Sequence, residues 1–283
     1  MMDRIHIEIS NICNLQCSFC PVVERGKKVM SLENVKQAIL QAKPFARQIC
    51  LHLMGEPLAH PEFENILSFC EDEAVVLQIT TNGVLLQRYQ EVLCSKSVRQ
   101  INFSLQSFTD NFKNKPIDEY LFKILKFTHF LKDKNPETYV NLRLWNSGIE
   151  DTDNEIIFRL VEKFYDVTIN RKVDVSFNKS KRIWHRVYLH FDSRFEWPSF
   201  DTPDQGRKGR CHGLKTHIGI HADGTVVPCC LDKEANINLG NVFDQKLSTI
   251  LNSERAIRMK TGFENNERIE EFCRHCSYIN RFK

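Results

Sequence analysis

Polar and apolar residues alternate along Arg4-Ile5-His6-Ile7-Glu8-Ile9, the period of a half-buried strand. Similar short apolar or alternating runs predict strands over residues 49–53, 74–79, 101–105, 139–144 and 173–177. Between them the apolar period lengthens to that of a helix. Ser31 can cap a helix that carries Val35, Ala38, Ile39 and Ala42 on one face, with Pro44 just past its end. Pro61 opens a second, with Phe63, Ile66, Leu67 and Cys70 facing inward. Residues 85–93, 117–131 and 153–164 read as three more, the middle one presenting Leu121, Ile124, Leu125 and Thr128. Six strands alternating with five helical stretches predict a parallel α/β sheet with right-handed crossovers. Six units are too few for a closed eight-fold barrel, and the pattern alone also describes a doubly wound sheet.

Residues 178–210 break the alternation. They hold eight Lys/Arg against four acids, with Trp184, His185, His190 and Trp197. This stretch reads as a solvated connector over the sheet, or as one wall of a substrate pocket for an anionic or aromatic ligand. Beyond it, residues 218–227 read as a hairpin around Asp223-Gly224. The expected division is therefore 1–178 for the α/β domain, 179–210 for the connector and 211–283 for a small C-terminal domain.

Composition narrows the class. At 283 residues, 42% apolar and 27% charged, a folded domain with an appendage is expected rather than disorder. A net charge of +3 gives no reason to expect duplex nucleic acid. No apolar run approaches the ~18 residues of a membrane span, and no secretory segment precedes the first strand, so the cytoplasm is the expected setting. Eleven cysteines in such a chain suggest metal or redox ligands rather than disulfides.

Three of them stand in Cys13-Asn14-Leu15-Gln16-Cys17-Ser18-Phe19-Cys20, on the loop leaving the first strand. Thiolates this close suit an iron–sulfur cluster with one iron left open, and an open metal position is where a substrate or cosubstrate can bind. Zinc is the competing metal, although its sites usually pair CxxC with a second nearby pair. The CxxxCxxC spacing, with aromatic Phe19 before the last cysteine, resembles the radical SAM superfamily. The resemblance implies a partial (β/α)6 TIM-like barrel. It implies that Cys13, Cys17 and Cys20 hold a [4Fe-4S] cluster whose open iron chelates S-adenosyl-L-methionine. Reductive cleavage would then give a 5′-deoxyadenosyl radical that abstracts substrate hydrogen, with electrons from a donor such as flavodoxin or ferredoxin.

Other strand ends fit the same resemblance. Met54-Gly55-Glu56-Pro57 is similar to the family's GGEP motif, with Met54 in place of the first glycine. Gly55 lets the backbone approach a ligand, and Glu56 can accept from the methionine ammonium or serve as a turn carboxylate. Asn82, in Thr80-Thr81-Asn82-Gly83, and Ser104 and Arg143 at later strand ends, are further cosubstrate candidates. No catalytic acid or base is identifiable. Cys50, Cys70 and Cys94, alone in apolar patterns, read as buried small residues.

The tail carries Cys211, Cys229, Cys230, Cys273 and Cys276. Three separated segments offer four thiols, enough for a closed cluster or a structural zinc. A cysteine, Gly224-x4-Cys229 on a hairpin, Asn238-Leu239-Gly240-Asn241-Val242 and a final CxxC resemble the SPASM and twitch subgroup. The full SPASM pattern continues with more cysteines, so one auxiliary [4Fe-4S] cluster of the twitch form is expected, on Cys211, Cys229, Cys273 and Cys276. Cys230 is set aside because neighbours on a strand point to opposite faces. The expected function is a radical SAM enzyme acting on a small molecule, with a queuosine-type nucleoside that releases queuine as the first named substrate, by a lyase reaction. A peptide or protein maturase, a small-molecule dehydrogenase and a non-catalytic iron–sulfur or zinc protein are the alternatives. The twelve residues before Cys13 hold no leader-recognition domain, which weighs against the maturase.

Overall fold

The structure is a computed structural model and describes residues 1–148, 154–172, 174–175, 177 and 179–282. In chain order the elements are β1 (Met2–Ile7), α1 (Leu32–Ala42), β2 (Ala46–Cys50), α2 (Phe63–Asp72), β3 (Leu77–Thr81), α3 (Leu86–Tyr89) and β4 (Val98–Ser104). They continue with α4 (Gln106–Asn111), α5 (Asp118–Lys134), β5 (Tyr139–Leu144), α6 (Asn154–Tyr165), β6 (Ser180–Trp184) and β7 (Val187–Phe191). The tail adds β8 (His217–Ile220), β9 (Thr225–Val227), β10 (Gly240–Asn241), α7 (Leu247–Leu251), α8 (Glu254–Glu264) and α9 (Glu271–Arg274). Among the described residues no helix is long and apolar enough to cross a membrane.

The chain divides into two compact units, one of residues 1–13, 21–55 and 195–283, the other of 14–20 and 56–194. In the first, the strand order is β10-β9-β8-β1-β2. β1 runs parallel to both β2 and β8, with Ile5 opposite Ile49 on one side and Ile218 on the other. Ile5 and Ile7 are fully buried, as the alternation requires. α1 begins where Ser31 Oγ accepts from Asn34 N at 3.2 Å, and its Val35, Ala38, Ile39 and Ala42 face is buried. β8 and β9 form the expected hairpin, and β10 adds to its edge. What the strand pattern did not foretell is that this hairpin joins the first strand of the chain.

In the second unit the order is β3-β4-β5-β7-β6. β3, β4, β5 and β7 are parallel, and β6 returns antiparallel on β7. The expected inner faces of α2 and α5 are buried as read. Three expectations shift. The strand expected over 49–53 is β2, which ends at Cys50; Leu51 and Leu53 are apolar because they are buried in the loop beyond it, not because they pair. Residues 85–93 hold the short α3 and then the start of a 3-10 turn over Val92–Cys94 rather than one helix. Of the strand expected at 173–177, residues 173 and 176 lie outside the described residues, and Asp174, Val175 and Phe177 are in no strand. The strand that follows β5 in parallel is β7, inside the stretch read as a connector. Its Val187, Leu189 and Phe191 are buried in strict alternation; the charges and aromatics around them masked that period.

Candidate cluster-binding sites

The loop after β1 supplies the thiols. Cys13 and Cys20 are exposed and Cys17 is half-buried. In the second unit, α4 holds the segment 14–20 from one side. Asp110 accepts from Ser18 N at 2.5 Å and from Ser18 Oγ at 2.6 Å. Asn111 Oδ1 accepts from Gln16 N at 2.8 Å, while its Nδ2 donates to Cys17 Sγ at 3.1 Å. The Cys17 thiol is drawn down to about 7, first by its hydrogen bond with Cys20 and then by Ser107 and Asn111, against burial and the Asp110 charge. A thiolate is thus accessible there at neutral pH. Phe19 lies under the Arg194 guanidinium, 5.3 Å from Cζ to ring centroid.

The same unit ties the strand-end turns together through Glu56. This carboxylate is 2% exposed. Its Oε1 accepts from Leu58 N at 3.0 Å and Thr81 Oγ1 at 2.7 Å, and its Oε2 from Asn82 N at 2.8 Å. Burial raises its pKa to about 7 despite these donors. Asn82 reaches back to the cysteine loop, donating from Nδ2 to Asn14 Oδ1 at 2.8 Å, and its carbonyl accepts from Tyr120 Oη at 2.7 Å. Ser104, Arg143 and His190 stand in register across the ends of β4, β5 and β7. The Arg143 guanidinium sits 4.5 Å over the Trp145 ring. Burial, then the nearby Arg143 charge, lowers the His190 pKa to about 4, so its imidazole is neutral at pH 7. Asp110, Asn111, Tyr120 and the role of His190 escaped the sequence reading. The α4 stretch, Gln-Ser-Phe-Thr-Asp-Asn, has no helical apolar period to announce it.

In the first unit Gly55 has φ +76°, and an added Cβ would run into the Ser10 carbonyl oxygen and come within 3.0 Å of the Ile12 oxygen. Only glycine fits that crossing. Met54 stands where the motif has glycine because its side chain is core: it packs with Leu53 and Val227, with Trp197 and Cys230 against them. Glu8 is fully buried and binds Arg25 Nη2 through both oxygens, at 3.0 and 2.9 Å. It also accepts from Met54 N and Ala222 N, each at 3.2 Å.

The tail thiols belong to this unit too. Cys211, Cys229, Cys273 and Cys276 are half-buried, and each has its pKa raised, first by burial; Cys211 adds to this at the other three, Cys273 at Cys229 and Cys276 at Cys273. Cys229 and Cys230 follow β9 in a turn, so strand alternation does not separate them. Cys229 feels Cys230, Cys211 and Cys273, while Cys230 also feels Cys211 and packs on the Leu53–Met54 cluster. Cys50 and Cys70 are fully buried, as expected, and Cys94 is half-exposed with its thiol on the Gln90 carbonyl at 3.3 Å.

The radical SAM superfamily profile matches residues 7–142, and the SPASM profile, an iron–sulfur cluster-binding domain, matches residues 211–277. The chain is a radical SAM protein with a SPASM domain. A GTP 3′,8-cyclase of Alkaliphilus oremlandii is 27% identical over 185 residues, 62% of this chain and 55% of the relative. A probable GTP 3′,8-cyclase of Methanococcus maripaludis is 28% identical over 105 residues, 36% of this chain and 35% of the relative. The chain thus spans about a third to a half of the length of these curated relatives. Among solved structures, BtrN in complex with AdoMet and 2-DOIA superposes with a TM-score of 0.61 at 14% identity, covering 98% of this chain and 93% of BtrN. SuiB of Streptococcus suis, bound to precursor peptide SuiA, gives 0.61 at 17%, covering 99% and 72%. At these identities the likeness is one of fold: a partial barrel with a small auxiliary-cluster domain.

Radical SAM and SPASM domains imply S-adenosylmethionine and two [4Fe-4S] clusters. Among the described residues no group of three or more His, Cys, Asp or Glu side chains is gathered as it would be around a single metal ion. The fit to clusters rests on donor chemistry. The front loop offers exposed thiols with a thiolate stabilised at neutral pH. The tail offers half-buried thiols whose repulsion as thiolates a cationic iron core would relieve. Both donor sets fit this radical SAM protein.

Proposed function

We propose that this radical SAM enzyme acts on a small molecule of the nucleoside class. Cys13, Cys17 and Cys20 hold the cluster that binds S-adenosylmethionine, and Cys211, Cys229, Cys273 and Cys276 hold the auxiliary one. Bound together, the first cluster and its cosubstrate supply a carbon-centred radical able to take a hydrogen atom. The observation that carries the reading is the loop 14–20 pinned by Asp110 and Asn111, with the Cys17 thiol held near 7. Glu56 uses three of its four acceptor positions on Leu58, Thr81 and Asn82, which leaves one for the methionine ammonium. Gly55 permits the close crossing of the chain beside it, and Phe19 and Asn82 are further residues that would bind the cosubstrate. Ser104 and Arg143 offer a hydroxyl and a guanidinium to its ribose and carboxylate.

The nucleoside class is supported by two things. Curated relatives are named for an enzyme of GTP. Neutral His190 and the Trp145 ring, their centroids 6.1 Å apart, offer hydrogen bonding and stacking of the kind that recognises a base. The narrower expectation, queuine release from a queuosine-type nucleoside, finds no support among these relatives, and the proposal stops at the class. Electrons come from an electron-carrier protein such as flavodoxin or ferredoxin, in the cytoplasm.

Reconstituted, reduced protein should be incubated anaerobically with carbon-deuterated nucleosides, nucleotides and peptides. Deuterium arriving in 5′-deoxyadenosine from a nucleoside or nucleotide is the expected result. Transfer from peptides alone would replace the substrate class with the maturase alternative.

A further inference from the structure

Arg268 heads the fully buried side chains among the described residues by volume, with no exposed surface. Its Nη1 donates to the Cys273 carbonyl at 3.2 Å, and its Nη2 to the Gln205 and Lys208 carbonyls at 2.7 and 2.9 Å. Its Nε is buried with no hydrogen-bond partner. Gly209 makes room for the head group, since an added Cβ would come within 3.0 Å of Nε and 3.3 Å of Cζ. A buried guanidinium is normally matched by a carboxylate, because an uncompensated charge away from water is costly. Asp204, a carboxylate that acts on it, is itself paired with Arg274 at 3.6 Å. The sulfurs of Cys276, Cys273 and Cys211 also lie within electrostatic reach, and they become anions once they hold a cluster.

We infer that Arg268 is the fixed counter-charge of the auxiliary cluster, raising its reduction potential and holding it in the tail. The inference rests on the auxiliary-cluster reading above. Four thiolates around an oxidised [4Fe-4S] core make a dianion, and one-electron reduction makes a trianion. A guanidinium anchored by three carbonyls, none of which neutralises it, stabilises the reduced state more than the oxidised one. The carbonyls fix its position, one of them being that of a proposed ligand, Cys273. The role is one of positioning and charge and needs no contact with substrate.

The test uses the full chain with both clusters loaded, an iron and sulfide assay, and an EPR-monitored redox titration. In R268Q the auxiliary midpoint should fall by a shift equivalent to at least tenfold in the one-electron equilibrium, about 59 mV, with the first cluster's midpoint unmoved. R268K, which keeps the charge, should stay near the wild-type midpoint. If R268Q sheds the auxiliary cluster and R268K retains it, the charge assignment also stands. A fully loaded R268Q with the wild-type midpoint overturns it. Loss of the cluster from both variants overturns it as well, because the fork's hydrogen bonds rather than its charge would then be what matters. Wild-type protein that binds iron for one cluster only fails the underlying reading, and is recognised as such before any variant is compared.

Discussion

The two cysteine sets solve opposite problems. The front loop keeps Cys13 and Cys20 exposed and stabilises the Cys17 thiolate with donors from α4, so its metal would face outward on one side. The tail keeps its thiols half-buried, raises their pKa values and sets the fully buried Arg268 beside them. The first arrangement suits an iron that must exchange a ligand. The second suits a cluster kept closed on all sides, whose potential is set by burial and nearby charge. One chain thus carries an open and a closed design from the same residue type, and the difference lies in what surrounds the sulfur.

That contrast can be broken most directly at Cys17. C17A should abolish 5′-deoxyadenosine formation; retained cleavage would place the open site elsewhere. C273A should lower bound iron by about four atoms per chain while the spectrum of the first cluster persists, and unchanged iron content would remove the closed site from the picture. In metal-free protein at pH 7, about half of Cys17 should be thiolate, whereas burial keeps the tail cysteines as thiols. Mass-spectrometric mapping of iodoacetamide adducts should then find Cys17 modified at least about tenfold faster, and equal rates would erase the distinction.

N111A takes a donor from the Cys17 sulfur and an acceptor from Gln16 N, a loss of about 1–3 kcal/mol. Chelator stripping of the front cluster should quicken several-fold, with the tail cluster unaffected. The smallest effect concerns Glu56, whose folded pKa of about 7 lies above its ordinary 4.5. A raised carboxyl binds its proton more tightly in the folded state. Its contribution is therefore fully present below about pH 4.5 and is lost as pH rises to about 7, on the order of 1–3 kcal/mol. Chemical denaturation across that window should show the decline, and E56Q should flatten it.

Local sequence determined much of this protein. The spacing of Cys13, Cys17 and Cys20, the inner faces of α1, α2 and α5, and the Asp223-Gly224 hairpin are short-range matters of period, cap and turn, and each was legible. So were the tail thiols as a group, because separated cysteines in one short domain have few other uses. Tertiary structure decided what needs partners far apart in the chain. β8 lies parallel on β1 more than 200 residues away, and no local period specifies which edge a hairpin will extend. β7 carried a readable alternation, but only its pairing with β5 shows that it, and not residues 173–177, continues the parallel series. Asp110 and Asn111 became loop anchors, Met54 a core residue and Arg268 a buried counter-charge through contacts made in space. Hydrogen bonding and desolvation act over ångströms between side chains, and only the folded chain sets those distances.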